Sequence, residues 1–97
     1  MIVARVIGTV VCTQKDPRLG GVKLQVVEPI SMTTHKSDGK PLVAIDTVGA
    51  GLGEVVLVVS GSSARQTATT VNTPVDAVIM GIVDSIDLDG QRVFEKG

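Results

Sequence analysis

Asp46-Thr-Val-Gly49-Ala-Gly51-Leu52-Gly53-Glu54-Val55-Val-Leu57-Val-Val59-Ser-Gly61-Ser62-Ser63-Ala-Arg65 is the stretch on which the fold turns. Its three parts carry different information. Gly49, Gly51 and Gly53 alternate with other residues, which suits a tight backbone path with positive φ or a close approach to another backbone. Val55 to Val59 is an unbroken apolar run centred on Leu57, and a strand without a polar face has to be covered on both sides. Gly61-Ser62-Ser63-Ala64-Arg65 then turns the chain sharply. In a small protein one cover is the core. A neighbouring subunit is the simplest second cover.

The rest of the chain supplies partners for this strand. Ile2–Thr13 is β-branched and period two, with Ala4, Val6, Val10 and Cys12 on the core face and Gly8 marking a bend. Gln14–Gly21 is a loop. Val22–Glu28 is a second strand, with Val22, Leu24 and Val26 facing in and Lys23 and Gln25 facing out. Ile30–Lys40 is polar and reads as a mobile loop, and its His35 is expected to be solvated. Pro41–Thr47 is a third strand and Glu54–Ser60 a fourth. Ser63-Ala-Arg-Gln66 has a capping-box pattern that suggests one short helical turn. Val75–Leu88 is a fifth strand, broken midway at Gly81. Asp89-Gly90 is a two-residue hairpin signal that pairs Ser85–Leu88 with Gln91–Phe94. The expected fold is all-β: one domain over residues 1–97, a small five-stranded OB-like barrel with one short helical turn and a C-terminal hairpin.

Composition restricts function. Of the 97 residues, 43% are hydrophobic, more than one small core needs, which points to self-association. No stretch of about 18 residues is free of charges and turn residues, so no membrane span is expected. The net charge is −1 and the one aromatic is Phe94, which speaks against nucleic-acid binding by base stacking. Cys12 is the only cysteine, so no internal disulfide forms, and it is expected to be a buried, inert thiol. The opening Met1-Ile-Val-Ala-Arg has no basic region before an apolar one and a cleavage site, so a cytoplasmic, reducing setting is expected.

Chemistry-bearing patterns are weak. Gly49-Ala-Gly-Leu-Gly53 precedes a strand and lacks the helix and Lys-Ser/Thr of a phosphate loop. Gly61-Ser62-Ser63 lacks the second glycine of a nucleophile elbow, and His35 lies upstream of it. Asp84, Asp87 and Asp89 are too few for a calcium loop and read as a solvated edge. No catalytic, cofactor or metal residues are therefore assigned. Asp46, Glu54 and Arg65 flank the glycine loop and the apolar strand. They either form an intrachain ion pair that fixes the turn or pair across a subunit boundary.

Ala44-Ile-Asp-Thr-Val-Gly-Ala-Gly-Leu-Gly-Glu-Val-Val-Leu-Val-Val-Ser-Gly-Ser-Ser-Ala-Arg65 resembles the hallmark segment of the EutN/CcmL family, the vertex proteins of bacterial microcompartments, including carboxysomes. Met1-Ile-Val-Ala-Arg-Val-Ile-Gly-Thr-Val-Val11, Leu19-Gly-Gly-Val-Lys-Leu-Gln-Val-Val27 and Pro74-Val-Asp-Ala-Val-Ile-Met-Gly-Ile-Val-Asp84 resemble other strands of that family. The resemblance implies a cyclic homopentamer that caps the vertices of a polyhedral shell, with hexameric shell proteins as partners. It places Asp46, Gly49, Gly51, Gly53, Glu54, Leu57, Ser62, Ser63 and Arg65 at subunit contacts or near the central axis. The Ile30–Lys40 loop and the tail after Asp89 depart from the family pattern. An OB-type module binding nucleic acid or a small ligand is the alternative reading.

Overall fold

A computed structural model describes residues 1–61, 64 and 76–97. Five strands close into a barrel: β1 (Ile2–Val10), β2 (Lys23–Pro29), β3 (Leu42–Asp46), β4 (Val55–Ser60) and β5 (Ala77–Ile82). Their order round the barrel is β1-β2-β3-β5-β4, with β4 returning to pair with β1. The β3–β5 contact is parallel and the others are antiparallel. A separate hairpin follows, β6 (Ser85–Leu88) and β7 (Gln91–Glu95). Closure removes the exposed edges that an open five-stranded sheet would present for aggregation.

The apolar alternation sorts residues between the barrel interior and two outer clusters. Ala4, Val6, Val27, Ala44, Val56, Val58, Ala77 and Ile79 fill the interior together with Ala50 of the glycine loop. Small residues dominate this set, as a narrow barrel requires. Ile45 and Val78 form an outer cluster with Ala64, beneath Leu19, Val22 and Leu24. Val3, Ile30 and Val55 form the other, with Leu57, Val83, Ile86 and Phe94 packed against it. The unbroken run of β4 thus serves two cores: Val56 and Val58 point in, while Val55 and Leu57 point out.

Several expectations are corrected. Gln25 faces inward and is buried at 3% exposure, while Lys23 is exposed as expected. β1 ends at Val10, so Cys12 lies past the strand and its thiol is exposed rather than buried. Gly81 does not break the fifth strand: it pairs with Leu57, and the strand ends at Ile82, so that the stretch forms both β5 and β6. The Ile30–Lys40 segment is tied down, with Ile30 bridged to Ser37 and the His35 amide donating to the Ser31 carbonyl at 2.9 Å. A 3-10 turn at Pro17–Leu19, capped by the Asp16 carboxylate, stands where only loop was expected. The helical turn expected at Ser63–Gln66 lies outside the described residues.

The hairpin is as expected. Asp89 and Gly90 both have positive φ, 52° and 76°, the backbone pair that matches the right-handed twist of the flanking strands. Asp84, Asp87 and Asp89 are exposed, and Asp87 accepts from the Arg92 guanidinium across the hairpin.

Candidate assembly surface

The glycine loop between β3 and β4 is held from both ends by carboxylates. Asp46 Oδ1 accepts from the amides of Val48 and Gly49, each at 2.9 Å, which closes the first turn of the loop. Glu54 Oε1 accepts from the Gly51 amide at 2.6 Å and closes the second. Gly53 donates its amide to the Val6 carbonyl at 2.8 Å, which fastens the loop to β1. Beneath it, Gln25 Nε2 donates to the Ala50 carbonyl at 2.7 Å and to Asp46 Oδ2 at 3.2 Å. The loop is therefore a rigid structure standing on the barrel.

Glycine is required here for backbone reasons. Gly49 and Gly53 have φ of 76° and 86°, and no atom lies within 4 Å of where a Cβ would stand on either. Alanine at Gly53 is expected to destabilise the fold by about 1–2 kcal/mol through left-handed strain alone. A fall in the urea midpoint with an unchanged slope would register it, and an unshifted midpoint would contradict the strain. At Gly51 the reason is space: a Cβ would lie 3.2 Å from Glu54 Oε1.

Glu54 also reaches the C-terminal tail. Its Oε2 pairs with Lys96 Nζ at 2.6 Å, and the Lys96 amide donates to the Asp84 carbonyl at 2.8 Å. Glu54 thus has its intrachain ion-pair partner in Lys96, while Asp46 is met by amide donors among the described residues. Lys96 foremost, and then the Gly51 amide, hold the Glu54 carboxyl below the usual glutamate range, while Glu54 raises the Lys96 ammonium above its usual value. The depressed carboxyl sets the sign of the pH effect. Its contribution to holding the tail is complete above the ordinary glutamate pKa of about 4.3 and disappears as pH falls through the lower folded value. The Glu54 carboxyl is expected to titrate below the ordinary glutamate range by carbon-detected NMR, and Lys96→Ala to move it upward, with the Gly51 amide still in place. An unmoved titration in that variant would exclude the pairing.

A second tie joins the Ile30–Lys40 segment to the hairpin. His35 Nε2 lies 2.8 Å from the Val93 carbonyl, and its ring meets Phe94 edge-on at a centroid distance of 5.4 Å. His35 is thus a positioned residue rather than a solvated one, and its φ of 62° is left-handed. Sequence reasoning missed Gln25, Lys96 and His35. Only Gln25 carries a signal, since Val26 and Val27 are adjacent and leave the inward phase of β2 open.

Of the other expected residues, Leu57 is half-buried and lines an apolar groove of about 600 Å³ with Met1, Ile2, Ile82 and Ile86. Ser62, Ser63 and Arg65 lie outside the described residues. Large apolar side chains remain exposed over the single chain, among them Leu52 at 77% and Met1 at 79%. Arg5 has a buried Nε with no hydrogen-bond partner among the described residues. No group of three or more His, Cys, Asp or Glu residues is placed to hold a metal ion among the described residues.

A five-stranded barrel with an amide-capped glycine loop and an appended hairpin can be compared with known proteins. Residues 1–84 match the family described as ethanolamine utilisation protein EutN/carboxysome. The chain belongs to the EutN/CcmL family. The bacterial microcompartment shell vertex protein EutN of Escherichia coli is 47% identical over 96 residues, covering 99% of this chain and all of that protein. The solved structure of Nostoc CcmL superposes with a TM-score of 0.93 at 42% identity, over 99% of this chain and 100% of that one. The GrpN pentameric microcompartment shell protein from Rhodospirillum rubrum superposes with a TM-score of 0.82 at 45% identity, over 91% and 99%. The EutN/CcmL match ends at Asp84, so the hairpin and Lys96 lie beyond the matched segment, while Glu54 and His35, to which they are tied, lie within it.

Proposed function

We propose that this chain, a single vertex-type domain over residues 1–97, assembles into a cyclic homopentamer that caps the vertices of a polyhedral bacterial microcompartment shell in the cytoplasm. A flat layer of hexagonal tiles closes into a polyhedron only with five-fold points, and a pentamer supplies them. The function is geometric rather than enzymatic, and its partners are its own copies and hexameric shell proteins. Membership of a family whose relatives are shell vertex proteins, among them the pentameric GrpN, is the observation that carries this reading.

The chain's own chemistry supports it. A completed barrel leaves Leu52, Ile7, Met1 and Met80 exposed, apolar surface that a ring would cover. Arg5 Nε is buried without a hydrogen-bond partner among the described residues, an arrangement that costs about 1–3 kcal/mol and that an acceptor from a neighbouring subunit would relieve. Asp46, Gly49, Gly51, Gly53, Glu54, Leu57, Ser62, Ser63 and Arg65 are assigned to subunit contacts and central-axis loops. Phe94, the one aromatic, is engaged with His35 instead of being offered to a base, which weighs against the nucleic-acid reading.

Native mass spectrometry tests the ring directly. Five copies of the 10.0 kDa chain are expected to give about 50 kDa. A stable monomer at micromolar concentration would contradict the proposal.

A further inference from the structure

A closed ring of identical chains joins unlike surfaces, because each protomer meets one neighbour with one face and the next with another. The described residues offer two such surfaces near opposite ends of β1. One is concave. It is the groove between the barrel and the hairpin, lined by Leu57, Ile82 and Ile86, with Met1 and Ile2 beside them and the exposed Asp84 on its wall. The other projects. Leu52 stands at the tip of the glycine loop at 77% exposure, beside Ile7, the extra residue of the β1 bulge, at 43%. Lys23 lines the same shallow hollow as these two.

Two properties match these surfaces to each other. The first is rigidity. Amide bonds to Asp46, Glu54 and Val6, and the Gln25 bond to Ala50, already fix the loop that carries Leu52. An apolar tip ordered in advance loses little freedom on docking. The second is charge. Lys23 and Asp84 are exposed, and neither makes an ion pair among the described residues. The cation that acts on Asp84 from its own chain, Lys96, is held by Glu54. Among the described residues, the projecting surface is thus edged with a cation and the groove with an anion, neither in an ion pair.

Resting on the ring reading above, we propose that Leu52 of one protomer seats in the Leu57–Ile82–Ile86 groove of the next, with Lys23 facing Asp84 across the joint. The occupant of the groove is a second copy of this chain. The loop following β3 and the groove beside β4 are then the two halves of every contact round the ring. Within the hallmark segment, the glycines then shape the knob and Leu57 lines the socket.

The test uses the full chain in a Cys12→Ser background, since the exposed Cys12 would otherwise react. A chain carrying both Leu52→Cys and Ile2→Cys, two exposed positions, is treated with a short bismaleimide. A ladder of linked chains ending at the pentamer is expected on a denaturing gel, and none from either single variant. In parallel, Lys23→Glu and Asp84→Lys are each expected to weaken ring association at least about ten-fold, and the two together to restore it. A wild-type pentamer that neither crosslinks through this pair nor responds to charge reversal overturns the joint and leaves the ring standing. Crosslinking that occurs only to an added hexameric shell protein assigns Leu52 to that partner and also overturns it. A monomeric wild type overturns the ring, and the joint with it.

Discussion

Replacing Leu57 by Asp is expected to eliminate the pentamer and leave monomer or aggregate. Leu57 pairs with Val3 on one side and Gly81 on the other, at the middle of the most apolar strand. Its side chain packs on the Val3–Ile30–Val55 cluster and lines the open groove. The substitution removes apolar burial of about 1.5–3 kcal/mol and sets a carboxylate among hydrocarbon side chains. The groove already carries Asp84, so the new charge meets a like charge rather than a partner. Native mass and size-exclusion elution measure the outcome. Leu57→Met, which keeps volume and polarity, is expected to retain the ring. A soluble, unchanged pentamer from Leu57→Asp would show that this face of β4 is not covered in the assembly.

Gln25→Leu is expected to destabilise the barrel by about 1–3 kcal/mol although it adds hydrophobicity to a buried position. The Gln25 amide is the donor to the Ala50 carbonyl, and Ala50 is itself buried at 1% exposure. Leucine fills a similar volume but leaves that carbonyl without the Gln25 donor and Asp46 Oδ2 without the contact that Gln25 supplies. A domain of this size has a total stability on the order of 5–15 kcal/mol, so the loss is a large part of the whole. Equilibrium urea unfolding would record it as a lower midpoint with an unchanged slope. Gln25→Glu is expected to be worse, because a carboxylate would stand against Asp46 in place of a donor. A Gln25→Leu variant as stable as the parent would mean that the buried amide does not anchor the loop. If the loop does loosen in this variant, ring assembly falls with it, which links the polar contact beneath the loop to the surface above.

Much of the fold is legible in the sequence. The positions of the strands follow from period-two apolar patterns and, for β4, from an unbroken apolar run, and Asp89-Gly90 specifies a hairpin whose positive φ values only a few residue types adopt. The alternating glycines announce the backbone of the loop before any contact is known. Where the reading erred, two neighbouring residues both fitted the inward phase. At Leu24-Gln25-Val26-Val27 the apolar residues occupy both phases, and the bulge between Val6 and Gly8 shifts the register opposite them. Local alternation therefore could not decide which residue of β2 enters the core.

The candidate surface divides in the same way. Gly49, Gly51, Gly53 and Leu57 are visible because their constraint is local: a φ value, a close approach within three residues, a run of apolar neighbours. Lys96 and His35 are invisible because their partners are remote. Glu54 and Lys96 are far apart in sequence, as are His35 and Val93, and any cation or carbonyl in the tail would look equivalent on paper.

The sequence by itself determined an all-β chain, the need for glycines in the loop after β3 and an apolar strand in need of two covers, because each follows from short-range backbone and hydropathy patterns. Only the tertiary structure decided that Gln25 is inside, that Cys12 is outside and that the tail is tied to Glu54 and His35. Those outcomes depend on barrel closure, which brings distant segments together and selects one phase of each strand by what the narrow interior can hold.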